Sequence, residues 1–568
     1  MKQFIQDKLG LILCISSLMF YFLLKTPFNL SVLGQTDNEG FYFVFGQNLL
    51  HFKELGPGRG ILFIGLYSLV IKLFGFNAFA IIAIHIIQTV VVLLIGTIIY
   101  LIVNKALKNS IYAGLATLIW ITLIIAPIGT SLKYEIMSHF AFEAEYLCVL
   151  FSLISILLLI LSGVLNLEKS QQFGTKEKVL SFLSGVFCVF PLMCKPSGGA
   201  FLLAMILWFV MVFIKERLKN IKLVFFNWLA GVLFSFLCFQ GLIYLFTKDL
   251  FSFWKDNFLI GSYSNNYLFN ATQLFQTISG FLFRESKSLS NFILLIIAIL
   301  LFSWGTLRCF TPNRNQDSIS KFWLFISIWG FGNVCSVIVP GKYEPYYYHL
   351  VWAPIAIVLV LGIYETFSRI NKKMFIVALS TLLTIFFIHR ISLFIPVYVN
   401  FIKQVNKKSI FNQSQSFQDP VLPYEPSIAK RQGGLQLPDA INILLPDKSS
   451  TFYILNLHGT GLTCFTPLSY IYAKRTSPTN IISDVLFTQP MIEAKLAKLK
   501  QDLINRPPDI FVLSKDVNLP PWLEESMKPF FPWFYGFLQN NYIFTAPFEC
   551  LFKSQHRIEY FDVYEKRK

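Results

Sequence analysis

Charged residues are scarce in this chain of 568 residues, because Asp, Glu, Lys and Arg together make up only 14% of it. Soluble domains average about 25% charged residues. Here 55% of the residues are hydrophobic, 17% are aromatic and the mean hydropathy is +0.59. These values exclude an ordinary soluble globular protein and predict a polytopic α-helical membrane protein.

Several motifs of soluble enzymes are also missing from the sequence, including a Walker phosphate loop, paired CxxC motifs and an HExxH zinc motif. Acidic residues are few, with 31 Asp and Glu against 48 Lys and Arg, which gives a formal net charge of +17. We attribute this excess to loops that hold the chain's orientation in the membrane and to a basic C-terminal region. The charge therefore requires no nucleic-acid partner.

Eleven apolar runs are each about long enough to cross a hydrocarbon core of ~30 Å. They cover residues 9–25, 79–103, 111–127, 143–164, 179–194, 198–214, 223–247, 291–307, 322–339, 350–366 and 374–388. The shorter amphipathic segment 61–75 is expected to lie flat in the membrane interface.

The distribution of Lys and Arg predicts the orientation of these spans. One set of alternate loops carries 17 Lys or Arg in 58 positions, and the other set carries fewer over 124 positions. Because cytoplasmic loops hold positive charge, we expect the N-terminus inside and the C-terminus outside. The predicted architecture is an α-helical transmembrane domain over 1–397, a linker over 398–440 and an extracytoplasmic α/β domain over 441–568.

Polar residues concentrate in the loops on the predicted outer side. Asp37 and Glu39 follow the first span, Glu143 and Glu145 open a later one, and Lys195 lies in the junction CKPSGG. These residues also have purely structural explanations. Asp37 and Glu39 could be solvated loop residues, and Glu143 and Glu145 could stabilise a helix N-terminus. The Tyr-rich run before residue 350 could be an interfacial aromatic belt.

Four stretches and the soluble outer domain that follows them occur in the same order as in the GT-C membrane glycosyltransferases, which this chain resembles. The stretches are TDNEGFYFVFGQNLL, FEAEYLCVLFSLISILLL, CKPSGGAFLLAMIL and GKYEPYYYHLVWAPIAIVL. The resemblance is to bacterial members of the protein O-mannosyltransferase and aminoarabinose transferase superfamily. It implies a polyprenyl-phosphate-linked sugar as donor, a hydroxyl on a protein or glycolipid as acceptor, inversion at the sugar, and a location in the bacterial inner membrane with the active site outside.

The resemblance also implies roles for individual residues. The family typically has adjacent Asp and Glu in the first outer loop, whereas Asn38 separates Asp37 from Glu39 here; we predict Asp37 as the base and Glu39 as its alternative or orienting partner. GPGRG replaces the family's Lys-Pro-Pro, so Arg59 is expected to supply that cation. The predicted catalytic residues are Asp37, Glu39 and Glu145, and the predicted donor phosphate and lipid ligands are Arg59, Lys195, Lys342, Tyr346, Tyr347 and His349.

No cofactor is required by the sequence, and the carboxylates permit a divalent cation without demanding one. Two other functions remain open at this stage. A lipid or solute transporter or flippase also has many spans and a few intramembrane charges, although the sequence shows no inverted repeat. A polymerase or ligase of lipid-linked glycans would keep the same fold and change the reaction.

Overall fold

The structure is a computed structural model. It describes residues 2–29, 37–54, 60–125, 142–164, 174–216, 219–254, 289–310, 318–338, 345–367, 392, 395–396, 399, 426–430, 450–455, 470, 475–480, 492–514, 524–525, 527–552 and 557–567.

Helices account for most of the described chain up to residue 367. They are α1 (Lys2–Asn29), α2 (Asp37–Phe52), α3 (Ile61–Phe74), α4 (Ala78–Leu107), α5 (Ser110–Ile125), α6 (Ala144–Leu161), α7 (Thr175–Cys194), α8 (Gly199–Glu216), α9 (Lys219–Thr247), α10 (Leu289–Phe310), α11 (Ser318–Ile338) and α12 (His349–Phe367). Short 3₁₀ turns at Pro196–Gly198 and Pro345–Tyr348 precede α8 and α12.

Eight helices in the described part of the chain are long and apolar enough to cross a membrane, and they lie in α1, α4, α6, α7, α8, α9, α11 and α12. Shorter apolar helices occur at Ile61–Phe74, Ser110–Ile125 and Ile296–Leu307. Ten of the eleven predicted spans thus coincide with helices. The predicted spans 179–194 and 198–214, on either side of CKPSGG, are the two separate helices α7 and α8. The amphipathic segment 61–75 forms α3. The predicted span 374–388 lies outside the described residues.

The chain divides into two compact units. Unit 1 comprises residues 1–26, 87–242 and 266–401, and unit 2 comprises residues 27–86, 243–265 and 402–568. Unit 2 therefore combines α2 and α3, from the first predicted outer loop, with the C-terminal region.

Glycines allow helices of unit 1 to pack closely. A Cβ atom at Gly185 of α7 would overlap the backbone carbonyl of Trp228 in α9, and one at Gly231 of α9 would overlap the carbonyl of Phe182 in α7. Small residues at such crossings let two backbones approach each other, which is how membrane helices gain van der Waals contact in the absence of a hydrophobic driving force.

The described residues of the C-terminal part of unit 2 form a five-stranded mixed sheet and two helices. Its strands are β1 (Pro426–Lys430), β2 (Phe452–Leu455), β3 (Ile510–Ser514), β4 (Tyr542–Phe552) and β5 (Arg557–Lys566), in the order β1-β4-β5-β3-β2. Among these described strands, β2 and β3 pair in parallel and the other neighbours pair antiparallel. Helix α13 (Ile492–Asn505) connects them, and α14 (Phe530–Asn541) precedes β4. This arrangement confirms the predicted α/β region.

Candidate active site

A buried ion pair is the centre of the polar cluster in unit 1. The Lys195 ammonium donates a hydrogen bond to Oε1 of Glu145, and the two residues are 4% and 0% exposed. Moving a carboxylate and an ammonium out of water costs several kcal/mol per ion, and a buried pair is often no more stabilising than apolar side chains of the same size. The pair is therefore better explained by chemistry than by stability.

Local sequence explains the position of Lys195. Helix α7 ends at Cys194, and Lys195 is extended (φ −160°, ψ 142°) as expected for a residue before proline. The Lys195 N–H donates to the Pro191 carbonyl at 3.0 Å. Gly198 packs against that same carbonyl, because a Cβ there would overlap it. The CKPSGG motif thus turns the chain tightly between two helices and directs a lysine into the protein.

Aromatic side chains surround the pair. Lys195 Nζ lies 4.1 Å from the centroid of the Tyr347 ring, a cation–π distance. Tyr146, the residue after Glu145, stacks on His349 with 4.3 Å between ring centroids and 28° between planes. Both Tyr347 and His349 are buried. Residues from the starts of α6 and α12 and from the turn after α7 thus meet in one buried cluster.

The start of α12, which carries His349, is anchored by α11. Pro354 has no N–H, so it leaves the Leu350 carbonyl without its usual partner in the helix. The side-chain amide of Asn333 in α11 donates to that carbonyl at 2.5 Å. Asn333 thereby satisfies a carbonyl that the surrounding apolar helices cannot.

The Glu145 carboxylate binds Lys195 through only one of its two oxygens. Within the described residues, Oε2 of Glu145 has no hydrogen-bond partner. A carboxylate oxygen with an open lone pair can accept a hydroxyl proton or hydrogen bond, and an ammonium with three donors can bind a phosphate oxygen as well as its carboxylate. The arrangement suits a ligand that carries both a hydroxyl-rich part and an anionic group.

Three of the predicted site residues come together here: Glu145, Lys195 and Tyr347, with His349 joined through Tyr146. The sequence predicted Lys195 as a phosphate ligand but did not predict its ion pair with Glu145. Asp37 and Glu39 lie in the first turn of α2, in unit 2; their side chains lie outside the described residues, as do Arg59, Lys342 and the Tyr346 side chain.

Sequence reasoning missed Tyr146 and Asn333. Tyr146 is buried beside Glu143 and Glu145, and its hydroxyl has the side chain of Gln88 as a hydrogen-bond partner. An aromatic residue directly after two acids in an apolar run was a usable signal for Tyr146. The sequence signal for Asn333 was weaker, since it consisted only of a polar side-chain amide inside a predicted span. In the described part of the chain, His, Cys, Asp and Glu form no group of three that could hold a metal ion.

No known protein-family model and no curated protein sequence matches this chain. A solved structure of ArnT from Cupriavidus metallidurans bound to undecaprenyl phosphate is similar over 97% of this chain and 97% of ArnT, with a TM-score of 0.51 and 9% identity. The chain has an ArnT-like fold. The predicted fold class, a GT-C-like multi-pass membrane protein with a C-terminal α/β region, is confirmed.

Two further similar structures have lower scores. ArnT from the same organism in the apo state matches over 97% of both chains, with a TM-score of 0.49 and 10% identity. The oligosaccharyltransferase of Archaeoglobus fulgidus, in complex with Zn and sulfate, matches over 88% of this chain and 68% of its own, with a TM-score of 0.47 and 13% identity.

Proposed function

We propose that the protein is a glycosyltransferase that moves a sugar from a polyprenyl-phosphate donor to an acceptor hydroxyl, on a protein or glycolipid, at the extracytoplasmic face of a bacterial inner membrane. The observation that carries the proposal is the buried cluster of Glu145, Lys195 and Tyr347 at one end of a helical bundle. The ArnT-like fold supports it, because that ArnT structure holds undecaprenyl phosphate.

The reaction is a single displacement. The acceptor oxygen forms a bond to the anomeric carbon, the bond from that carbon to the phosphate oxygen breaks, and its electron pair leaves with the polyprenyl phosphate. The acceptor proton passes to a carboxylate, for which we propose Asp37, with Glu39 as the alternative or orienting acid. One attack from the back side inverts the anomeric centre.

The departing phosphate gains negative charge and needs cations or donors nearby. We propose Lys195 for this role, with Glu145 and Tyr347 holding its ammonium in place when no donor is bound. Arg59, Lys342, Tyr346 and His349 remain proposed ligands of the phosphate or the lipid. A divalent cation is neither required nor opposed by this mechanism.

The test is release of undecaprenyl phosphate by the purified full-length protein in nanodiscs, from a panel of undecaprenyl-phosphate-linked sugars, with total envelope extract as acceptor. Asp37→Asn should lower turnover about 10²- to 10⁴-fold, the usual contribution of a general base, while undecaprenyl phosphate still binds. Lys195→Gln should weaken that binding.

Glu177→Gln, in the first turn of α7, is the matched control and should leave turnover unchanged. Normal turnover in both Asp37→Asn and Glu39→Gln would refute the proposed base. Movement of intact lipid-linked sugar across the bilayer, with no phosphate released, would indicate a flippase instead.

A further inference from the structure

We propose that the C-terminal α/β region positions helix α2, whose first turn carries Asp37 and Glu39. It holds this helix through a clamp, a set of contacts that includes Asn480 and Arg506. This inference rests on the proposed function for the role of those two acids. The clamp itself consists of contacts within unit 2 and can be tested without any activity measurement.

The first contact is apolar. Val44, in the middle of α2, is 1% exposed and belongs to the same hydrophobic core as strands β2 and β3 and helices α13 and α14. Phe41 and Phe76 pack against this core as partly buried neighbours. Burial of this apolar side chain stabilises the contact between α2 and the α/β region.

The second contact is a buried hydrogen bond one helical turn further on. Asn48 Nδ2 donates to Asn480 Oδ1 at 2.9 Å, across 432 residues of sequence, and both side chains are 0% exposed. A buried amide pair is directional and loses much of its value when either partner is removed. It therefore fixes the rotation of α2 about its axis as well as its distance from the α/β region.

The third contact is ionic and lies at the C-terminal end of α2. Lys53 has the left-handed φ of 61°, which ends the helix. The carboxylate of Glu54 accepts a hydrogen bond from Arg506 Nη2 at 2.8 Å, and the Arg506 guanidinium lies 4.3 Å from the centroid of the Phe52 ring. The same nitrogen donates to Asp502 at 2.9 Å, so Arg506 is itself held by α13.

These contacts act on the first turn of α2 because a helix is a stiff rod. From residue 37 to residue 48 the rise is about 16 Å at 1.5 Å per residue. A small change of tilt at the clamp therefore moves the backbone of the first turn by about an ångström or more. A misplacement of about 1 Å can cost about 10²-fold in rate. The clamp therefore consists of residues that position the first turn of α2 and take no part in the reaction itself, namely Asn48, Glu54, Asn480 and Arg506.

Helix α3 supports the same arrangement. Ser68 Oγ donates to the Gly46 carbonyl of α2 at 2.9 Å, and the Tyr42 ring packs edge-on against Phe63 at 4.7 Å. A Cβ at Gly46 would lie 3.0 Å from the backbone of Ser68, so the two helices are in close contact. The clamped unit thus comprises α2 and α3 together with the α/β region.

The test is the double variant Asn480→Leu/Arg506→Ala in the full-length protein. Amide hydrogen exchange of peptides covering 41–54 should become at least tenfold faster, and kcat should fall about tenfold or more while KM for the lipid donor stays within about twofold. Arg506→Lys keeps a charge opposite Glu54 and should lie between the double variant and the unchanged protein on both readouts.

Lys500→Ala is the matched control, because Lys500 is an exposed cation of the same helix α13 and faces Trp533. It should change neither measurement. Unchanged exchange in 41–54 in the double variant would overturn the clamp. Faster exchange with normal kcat would overturn the positioning role. Failure of the proposed function is separate, since it appears as normal turnover in Asp37→Asn and Glu39→Gln.

Discussion

The two units bury ionic groups in different ways. In unit 1, Glu145 and Lys195 form a pair that is almost completely removed from solvent. In unit 2, Arg506, Glu54, Asp502 and Lys498 form a network whose Arg506, Lys498 and Glu54 side chains are 22% to 24% exposed. Burying an ion pair is costly, so we infer that this pair is retained for its chemistry, whereas a partly hydrated network costs little and can connect distant segments.

The surroundings explain the difference. The described spans of unit 1 expose large apolar side chains on their outer surfaces, such as Leu203, Ile214 and Leu237, as lipid-facing helices do. A backbone or side-chain polar group there must find its partner inside the protein. The α/β region of unit 2 has an apolar core, and the charged side chains of the network lie partly exposed at its surface, so water can complete their hydrogen bonding.

The largest expected effect comes from breaking the buried pair. Lys195→Met leaves Glu145 without its cation and should lower the free energy of unfolding by about 3–5 kcal/mol. The double variant Glu145→Leu/Lys195→Met should recover most of that stability and no activity. Thermal unfolding of the purified protein in detergent measures the stability of the single and the double variant, and release of undecaprenyl phosphate measures their activity. Lys178→Met, at an exposed position of α7, the helix that Lys195 follows, is the control. Equal stability of Lys195→Met and the unchanged protein would contradict the cost of a buried, unpaired carboxylate.

The second effect tests the anchoring of α12. Asn333→Leu leaves the Leu350 carbonyl unsatisfied in apolar surroundings and should cost about 1–3 kcal/mol. Pro354→Ala restores a backbone N–H to that carbonyl, so the same substitution should cost less in the Pro354→Ala background. A thermal-stability cycle of the four proteins checks this. An equal cost in both backgrounds would show that Asn333 acts in some other way.

A third effect concerns a buried phenol of unit 2. Tyr542 Oη donates to the Pro508 carbonyl at 2.7 Å, so Tyr542→Phe should cost about 1 kcal/mol near neutral pH. Burial, and then the charge of Asp509, raises the pKa of Tyr542 above its ordinary value of 10.0. Because the unfolded state loses the phenolic proton first, this stabilisation is complete below about pH 10 and declines as the pH rises towards the folded-state pKa. The stability difference between the two proteins should therefore shrink at alkaline pH, and a difference that grows would contradict the assignment.

The smallest effect is expected in the hydrated network. Lys498 Nζ lies 3.6 Å from Glu54 and 3.8 Å from Asp502, and its side chain is 24% exposed. Lys498→Ala should therefore change the free energy of unfolding by no more than about 1 kcal/mol, and by less at about 1 M salt, where screening is strong. A loss as large as that of Lys195→Met would remove the distinction between the two units.

The sequence by itself determined the helical class and most helix positions, because hydropathy and helix ends are local properties. It also singled out Glu145, Lys195, Tyr347 and His349, since charged and aromatic residues beside apolar runs are conspicuous.

Only the tertiary structure decided which of these residues meet. Glu145 and Lys195 are 50 positions apart, and Asn48 and Asn480 are 432 apart. Such pairings depend on how helices and strands pack in space, and no local pattern in the sequence records that packing. For the same reason no local pattern predicts that α2 and α3 share one compact unit with the C-terminal region.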